Sequence, residues 1–291
     1  MRHFADLRFE MVCFFFILEI VVTGLAPSGT LRAQESTETG SKALARPRTG
    51  STYVVAHRGA HQGIPENTLA AYQSAIELGC DFVEIDVRTT KDGQLVSIHD
   101  ATIDQYTVDH RTGTVSDMTL EELRELDIGS RISPMWAGQR IPTVREVFAL
   151  CRGKIGIYLD VKDASLESLT AIAKEFDMEQ NTLWYISAGR VNELRERSPR
   201  SWPMPDPGPQ IYLSTLLEET KPHVVASTWR FFSPSFAEQC HSKNAIVIVD
   251  DGGRDSWNKL LEWGADGIQT NYPEELIQYI RSRDSGESTR K

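Results

Sequence analysis

The chain has 291 residues, 40% of them hydrophobic and 25% charged, and a formal net charge of −10 at pH 7. That excess of acid argues against nucleic acid as a partner. Beyond residue 33 the cysteines are Cys80, Cys151 and Cys240, an odd and sparse set that is no disulfide framework, although an exported protein leaves room for one bridge. A small anionic substrate remains compatible, because salt screens charges beyond about 8 Å and the local charge at a site outweighs the total.

Arg2 and Arg8 precede an apolar stretch from Met11 to Ala26, and Leu31-Arg32-Ala33 offers a small-residue cleavage point. This reads as a secretory signal peptide over residues 1–33 and predicts a secreted or periplasmic protein. An uncleaved N-terminal anchor is the alternative. The apolar run carries Glu19 and is short of the roughly 20 residues a membrane span needs, so no stable span is expected in the mature form. Residues 34–50 are polar and rich in Ser, Thr and Gly, which predicts a flexible linker. The folded part is expected over 51–283, with a frayed tail at 284–291.

From residue 53 onward, short β-branched runs alternate with amphipathic stretches of helical spacing. Strands are predicted at 53–57, 82–88, 95–99, 155–160, 182–187, 201–204, 223–227, 245–250 and 267–270. Helices are predicted at 67–79, 119–126, 143–151, 165–177, 190–197, 210–219, 234–241, 255–263 and 273–282. Asn67 reads as the first N-cap and Gly79 as the matching C-terminal stop. Such alternation predicts a parallel sheet, and about eight repeats predict a closed (β/α)8 barrel. Two features break the rhythm. Asp92-Gly93 between two strand-like runs is a hairpin signal, so either the barrel is distorted there or one of the nine strands is extra. Residues 100–142 form a long, turn-rich insertion, and loops of that length are usually functional.

The chemistry concentrates between His57 and Asp100. Glu84 and Asp86 lie two apart on an apolar strand, so both carboxylates face one side, roughly 6.6 Å apart along the strand. Two like charges on a buried strand are costly without a cation, which favours metal ligation over a solvated edge. His57 and His99 each follow a strand-like run, where barrel active sites are built. Arg58 adjoins the first and can grip a phosphate oxygen. Asp100 adjoins the second and is placed to orient an imidazole or to bind elsewhere in the loop. Asp160 and Lys162 share one side of a later strand, as a third metal ligand and a phosphate contact or as a simple ion pair. Glu66 stands ready to orient His57 or Arg58, or serves only the helix dipole.

Together, His57-Arg58-Gly59, Pro65-Glu66-Asn67-Thr68, Glu84-Ile85-Asp86-Val87, Lys91-Asp92-Gly93 and His99-Asp100 resemble the glycerophosphodiester phosphodiesterase family in residue and order. The resemblance runs strongly over about 53–163 and resumes at Gly264–Pro273. It implies a distorted (β/α)8 TIM barrel with a small insertion after the third strand. It implies hydrolysis of glycerophosphodiesters to glycerol 3-phosphate and an alcohol, with a divalent cation, Ca²⁺ or Mg²⁺. Carried over by position, His57 and His99 would be the acid–base pair, Glu84 and Asp86 metal ligands, and Arg58 a phosphate contact. Asp160 stands where the family usually has Glu, one methylene longer, which implies ligation through water or a shifted strand. The family's Trp-Thr-Val-Asn stretch is absent, and Ile248-Val249-Asp250-Asp251 stands roughly in its place. Trp229-Arg230-Phe231-Phe232 either packs on the barrel or lines a pocket for a bulkier alcohol. The alternatives are a sphingomyelinase-type phospholipase D that cleaves intact lipids, and a catalytically inactive barrel that binds phosphodiesters or a partner. Two retained proton-transfer groups speak against the latter.

Overall fold

The computed structural model describes residues 44–286. The expected signal peptide, the linker before residue 44 and the last five residues lie outside the described residues.

Eight parallel strands form the wall: β1 (Tyr53–Ala56), β2 (Phe82–Thr89), β4 (Gly156–Val161), β5 (Thr182–Tyr185), β6 (Trp202–Met204), β7 (Val224–Thr228), β8 (Ile246–Asp250) and β9 (Gly267–Thr270). Their order is β6-β5-β4-β2-β1-β9-β8-β7. The ring stops just short of closure between β6 and β7. Pro203 and Pro205 have no N–H to offer there, and one hydrogen bond, from Ala226 N to the Pro205 carbonyl at 3.1 Å, crosses the gap. The expected elements all appear, with ends within three residues of the expected ones.

β3 (Leu95–Ser97) is the extra strand. It pairs antiparallel with β2, Val87 opposite Ser97, and takes no place in the barrel wall. The chain returns down the hairpin until Ile98 N bonds the Asp86 carbonyl at 3.0 Å. His99 therefore does not end a barrel strand, as its sequence context suggests; the antiparallel return delivers it to the level of Asp86. The insertion 100–142 holds the short helix α2 (Leu120–Arg124) and a small core of its own, with Ile103, Tyr106, Leu123, Leu126 and Ile141 packed against Val96 and Ile98.

The outer helices are α1 (Leu69–Leu78), α3 (Val144–Cys151), α4 (Leu166–Glu175), α5 (Val191–Arg197), α6 (Leu213–Thr220), α7 (Pro234–Ser242), α8 (Trp257–Glu262) and α9 (Pro273–Asp284). Local chemistry starts several of them: Thr119 and Thr143 close capping boxes with Glu122 and Glu146, and Ser165 and Ser233 cap α4 and α7. The apolar faces of the helices and the outward residues of the strands make one core, and the inward residues Tyr53, Val55, Phe82, Tyr158, Leu183, Trp202 and Met204 fill the barrel's lower interior. Each Val, Leu or Ile so buried contributes about 1.5–3 kcal/mol. Of the segment expected as linker, residues from Leu44 lie against the barrel's N-terminal end, where Arg48 N donates to Asp81 Oδ1 at 2.7 Å. Cys80, Cys151 and Cys240 are free and buried. Burial pushes each thiol up to about 12, so none offers a thiolate at neutral pH. Among the described residues no helix is long and apolar enough to cross a membrane.

Candidate active site

Partners in register on parallel strands point to the same side, so the pairings trace a ring of inward side chains at the barrel's C-terminal end. Asp86 pairs with Asp160, Asp160 with Tyr185, Thr228 with Asp250, Asp250 with Gln269, and Gln269 with the interior Val55. Strand parity alone thus gathers residues more than two hundred positions apart in sequence.

On one side of the ring, Glu84, Asp86 and Asp160 bring carboxylate oxygens within 4.8 Å of one another. Glu84 and Asp86 are buried, at 1% and 0% exposure. Burial first, then Asp86 and Asp160, pushes the Glu84 carboxyl well above its usual range. Burial likewise raises Asp160, against the pull of Lys162. The Lys162 ammonium lies against Asp160 and 3.1 Å from Asp86 Oδ1. That ion pair is the contact the structure gives Asp86 Oδ1 among the described residues. A buried carboxylate oxygen with coordination to spare, beside two further carboxylates, fits a hard divalent cation. Asn67 completes the setting. Its Nδ2 donates to Asp86 Oδ2 at 2.9 Å, while its Oδ1 accepts from Tyr72 Oη at 2.8 Å and Ser97 Oγ at 3.0 Å. Asn67 is therefore not the cap of α1; Thr68 is, accepting from Ala71 N. Asn67 instead adopts φ 53°, a left-handed turn that Asn tolerates and that aims its amide at Asp86.

Arg58 sits in the same left-handed region, φ 54°, which points its N–H at Glu84 Oε2, 2.7 Å away. Its guanidinium bonds Glu66 at 3.2 Å and lies 3.6 Å from Asp86 Oδ2. Glu66 thus orients Arg58, one of the two partners anticipated for it. Gly59 lets α1 approach this turn, since a Cβ there would come within 2.7 Å of the Ala71 Cβ.

His57 follows β1 directly, and its Nδ1 meets Asn271 Oδ1 at 2.7 Å. With the amide so oriented the oxygen only accepts, so Nδ1 carries the hydrogen and Nε2 presents a lone pair. Burial, then Arg58, lowers the His57 pKa to about 4, against the pull of Asn271. His99 Nδ1 meets Asp100 Oδ1 at 2.7 Å, so Asp100 does orient an imidazole. Every site residue anticipated from sequence lies at this end of the barrel. Asn271, Tyr72 and Ser97 were missed. The alternation Gly267, Gln269, Asn271 carried the first as an inward position; the other two act only through Asn67, which no spacing reveals.

Across the ring, Tyr185 Oη donates to Asp206 Oδ2 at 3.1 Å and Gln269 Nε2 to Asp250 Oδ1 at 3.4 Å. The aromatic cluster at 229–232 divides. Phe232 is buried beside Phe236 and Trp263, whereas Trp229 and Phe231 stay 45% and 42% exposed. The large exposed apolar side chains among the described residues all belong to strand-to-helix connections or the helix starts that follow them, on the face where the ring opens. Barrel enzymes work at that face.

A family profile described as the glycerophosphoryl diester phosphodiesterase family matches residues 57–199. The chain is 34% identical over 252 residues to a glycerophosphodiester phosphodiesterase of Caldanaerobacter subterraneus, covering 79% of this chain and 98% of the relative. It is 46% identical over 251 residues to YhdW of Bacillus subtilis, covering 78% and 97%, whose name carries the same activity as a provisional assignment. The fold is similar to a glycerophosphodiester phosphodiesterase structure from Agrobacterium tumefaciens, with TM-score 0.68, 26% identity, and 78% and 99% of the two chains covered. A phosphodiesterase from Oleispira antarctica, solved with the product sn-glycerol-3-phosphate, shares the fold at TM-score 0.67 and 24% identity, over 78% and 96% of the chains. The sequence likeness spans the whole barrel and the structural likeness its architecture; the chain belongs to the glycerophosphodiester phosphodiesterase family.

Proposed function

We propose that this protein hydrolyses glycerophosphodiesters to glycerol 3-phosphate and an alcohol in a reaction that depends on a divalent cation, Ca²⁺ or Mg²⁺. The observation that carries the reading is the juxtaposition of three carboxylates, two of them buried, with a guanidinium, an ammonium and two oriented imidazoles. Glu84, Asp86 and Asp160 would hold the cation, which when bound neutralises charge gathering on the phosphoryl oxygens. Arg58 and Lys162 supply further donors for those oxygens. His57, held neutral with its Nε2 lone pair free, takes the proton of the attacking hydroxyl, the substrate's own or that of water. His99, its Nδ1 held by the Asp100 carboxylate, is oriented to deliver a proton to the departing alkoxide. Such positioned proton transfer is worth about 10²–10⁴-fold.

The test is release of glycerol 3-phosphate from glycerophosphocholine and glycerophosphoethanolamine by the purified protein, with Ca²⁺, with Mg²⁺ and with EDTA. Release that EDTA abolishes is expected; silence under every cation would remove the proposal. The exposed Ile211, Tyr212, Trp229 and Phe231 favour the lipid-cleaving alternative, and faster turnover of micellar lysophospholipid than of glycerophosphocholine would decide for it. We also propose export, with cleavage after Ala33; an N-terminus other than Gln34 on the protein recovered outside the cytoplasm would refute that site.

A further inference from the structure

The far side of the mouth differs in kind from the side that faces the phosphate. Glu84, Asp86 and Asp160 have Arg58 and Lys162 beside them. Asp206 and Asp250 make no ion pair among the described residues, and Asp250 feels only the more distant charge of Arg58. Asp206 accepts from Tyr185 Oη and from Gly208 N, and the Asp250 carboxylate only from the Gln269 amide, at a long 3.4 Å. Gln269 is 7% exposed, and its Oε1 has no hydrogen-bond partner among the described residues. Thr228 Oγ1, in register with Asp250, is also buried and unpartnered. Trp229 lies at the outer edge, its ring against Gly252 and under the Arg230 guanidinium, 5.6 Å from the ring centre.

We propose that Tyr185, Asp206, Thr228, Asp250 and Gln269, with Trp229 at the rim, form a subsite for an ammonium-bearing alcohol, the head group of the diester whose hydrolysis is proposed above. An unmet buried acceptor costs free energy, and a ligand that supplies donors recovers it. Hydroxyl groups would satisfy Gln269 and Thr228 yet leave both carboxylates without an ion-pair partner. An ammonium brings three donors and the charge together. Burial, with Asp251 next to it, raises the Asp250 carboxyl to about 6, and burial raises Asp206, as expected for acids whose countercharge arrives with the ligand. A primary ammonium suits the site better than a quaternary one, because only the former donates to Gln269 Oε1.

The experiment compares kcat/KM for glycerophosphoethanolamine, glycerophosphocholine and the uncharged glycerophosphoglycerol, in the natural protein and in Asp250→Asn, Asp206→Asn and Gln269→Leu. The natural protein is expected to favour the ethanolamine diester over the glycerol diester by roughly tenfold or more. Each Asp→Asn change is expected to lower that ratio roughly tenfold, the effect of one charge-assisted contact. Gln269→Leu is expected to lower the ethanolamine-to-choline ratio. Each ratio is taken within one variant, so a poorly folded fraction cancels. Equal rates on all three diesters, or ratios unmoved by both Asp→Asn changes, would overturn the subsite and leave the phosphodiesterase reading standing. Turnover of none of them would overturn both.

Discussion

The half of the barrel from β1 to β4 and the half from β5 to β9 share an architecture but not a chemistry. In the first, acids are crowded and answered by Arg58, Lys162 and the Asn67 amide, with two imidazoles aimed beside them. In the second, acids stand apart beside unmet acceptors and an exposed aromatic rim. A reaction at phosphorus demands fixed charges at fixed places, so its residues come as dense motifs. Recognition of a variable alcohol demands only a complementary surface, so its residues are scattered one per strand.

Removing a proton carrier from the first half should have the largest effect. His57→Ala and His99→Ala are each expected to lose about 10²–10⁴-fold in kcat while retaining cation binding. If either variant turns over at the natural rate, its imidazole has no part in the chemistry. Next comes the support of the carboxylates. Asn67→Ala strips Asp86 Oδ2 of a donor and should weaken cation affinity about 10–100-fold, read by calorimetry. Tyr72→Phe acts one bond further out and should weaken it less; a larger loss in Tyr72→Phe would show that packing, not the hydrogen-bond chain, sets the affinity.

In the second half the effects should be on stability and binding. Asp250 has a folded pKa of about 6, above the roughly 3.9 of an unfolded chain. Its ionisation therefore costs stability fully above pH 6, the cost shrinks as pH falls, and it vanishes below about pH 4. Asp250→Asn should be more stable than the natural protein at pH 8, by on the order of 1–3 kcal/mol, and equal to it near pH 4. Denaturant unfolding at both pH values checks the sign; a variant less stable at pH 8 would mean that Asp250 already has its countercharge. The smallest effect is expected at the rim. A Cβ on Gly252 would come within 2.7 Å of the Trp229 ring and push it aside. Gly252→Ala should raise KM a few-fold with kcat held, and an unchanged KM would place Trp229 outside the substrate's path.

Much of this molecule is legible in the order of its residues. Periodicity set out the strands and helices because each strand buries one or both faces and each helix one stripe, which leaves a local signature. His57, Arg58, Glu84, Asp86, His99 and Asp100 were legible because they lie within 44 residues of chain and carry their chemistry in their types. Tertiary structure alone decided three things. It made β3 an antiparallel return rather than a barrel strand, because pairing depends on what lies beside a strand, although Asp92-Gly93 hinted at it. It turned Asn67 from an apparent cap into the support of Asp86, because a left-handed turn re-aims a side chain and no spacing encodes that turn. And it set Tyr185, Asp206, Asp250 and Gln269 around one opening, since closing a sheet into a barrel brings together strands whose residues share no local pattern.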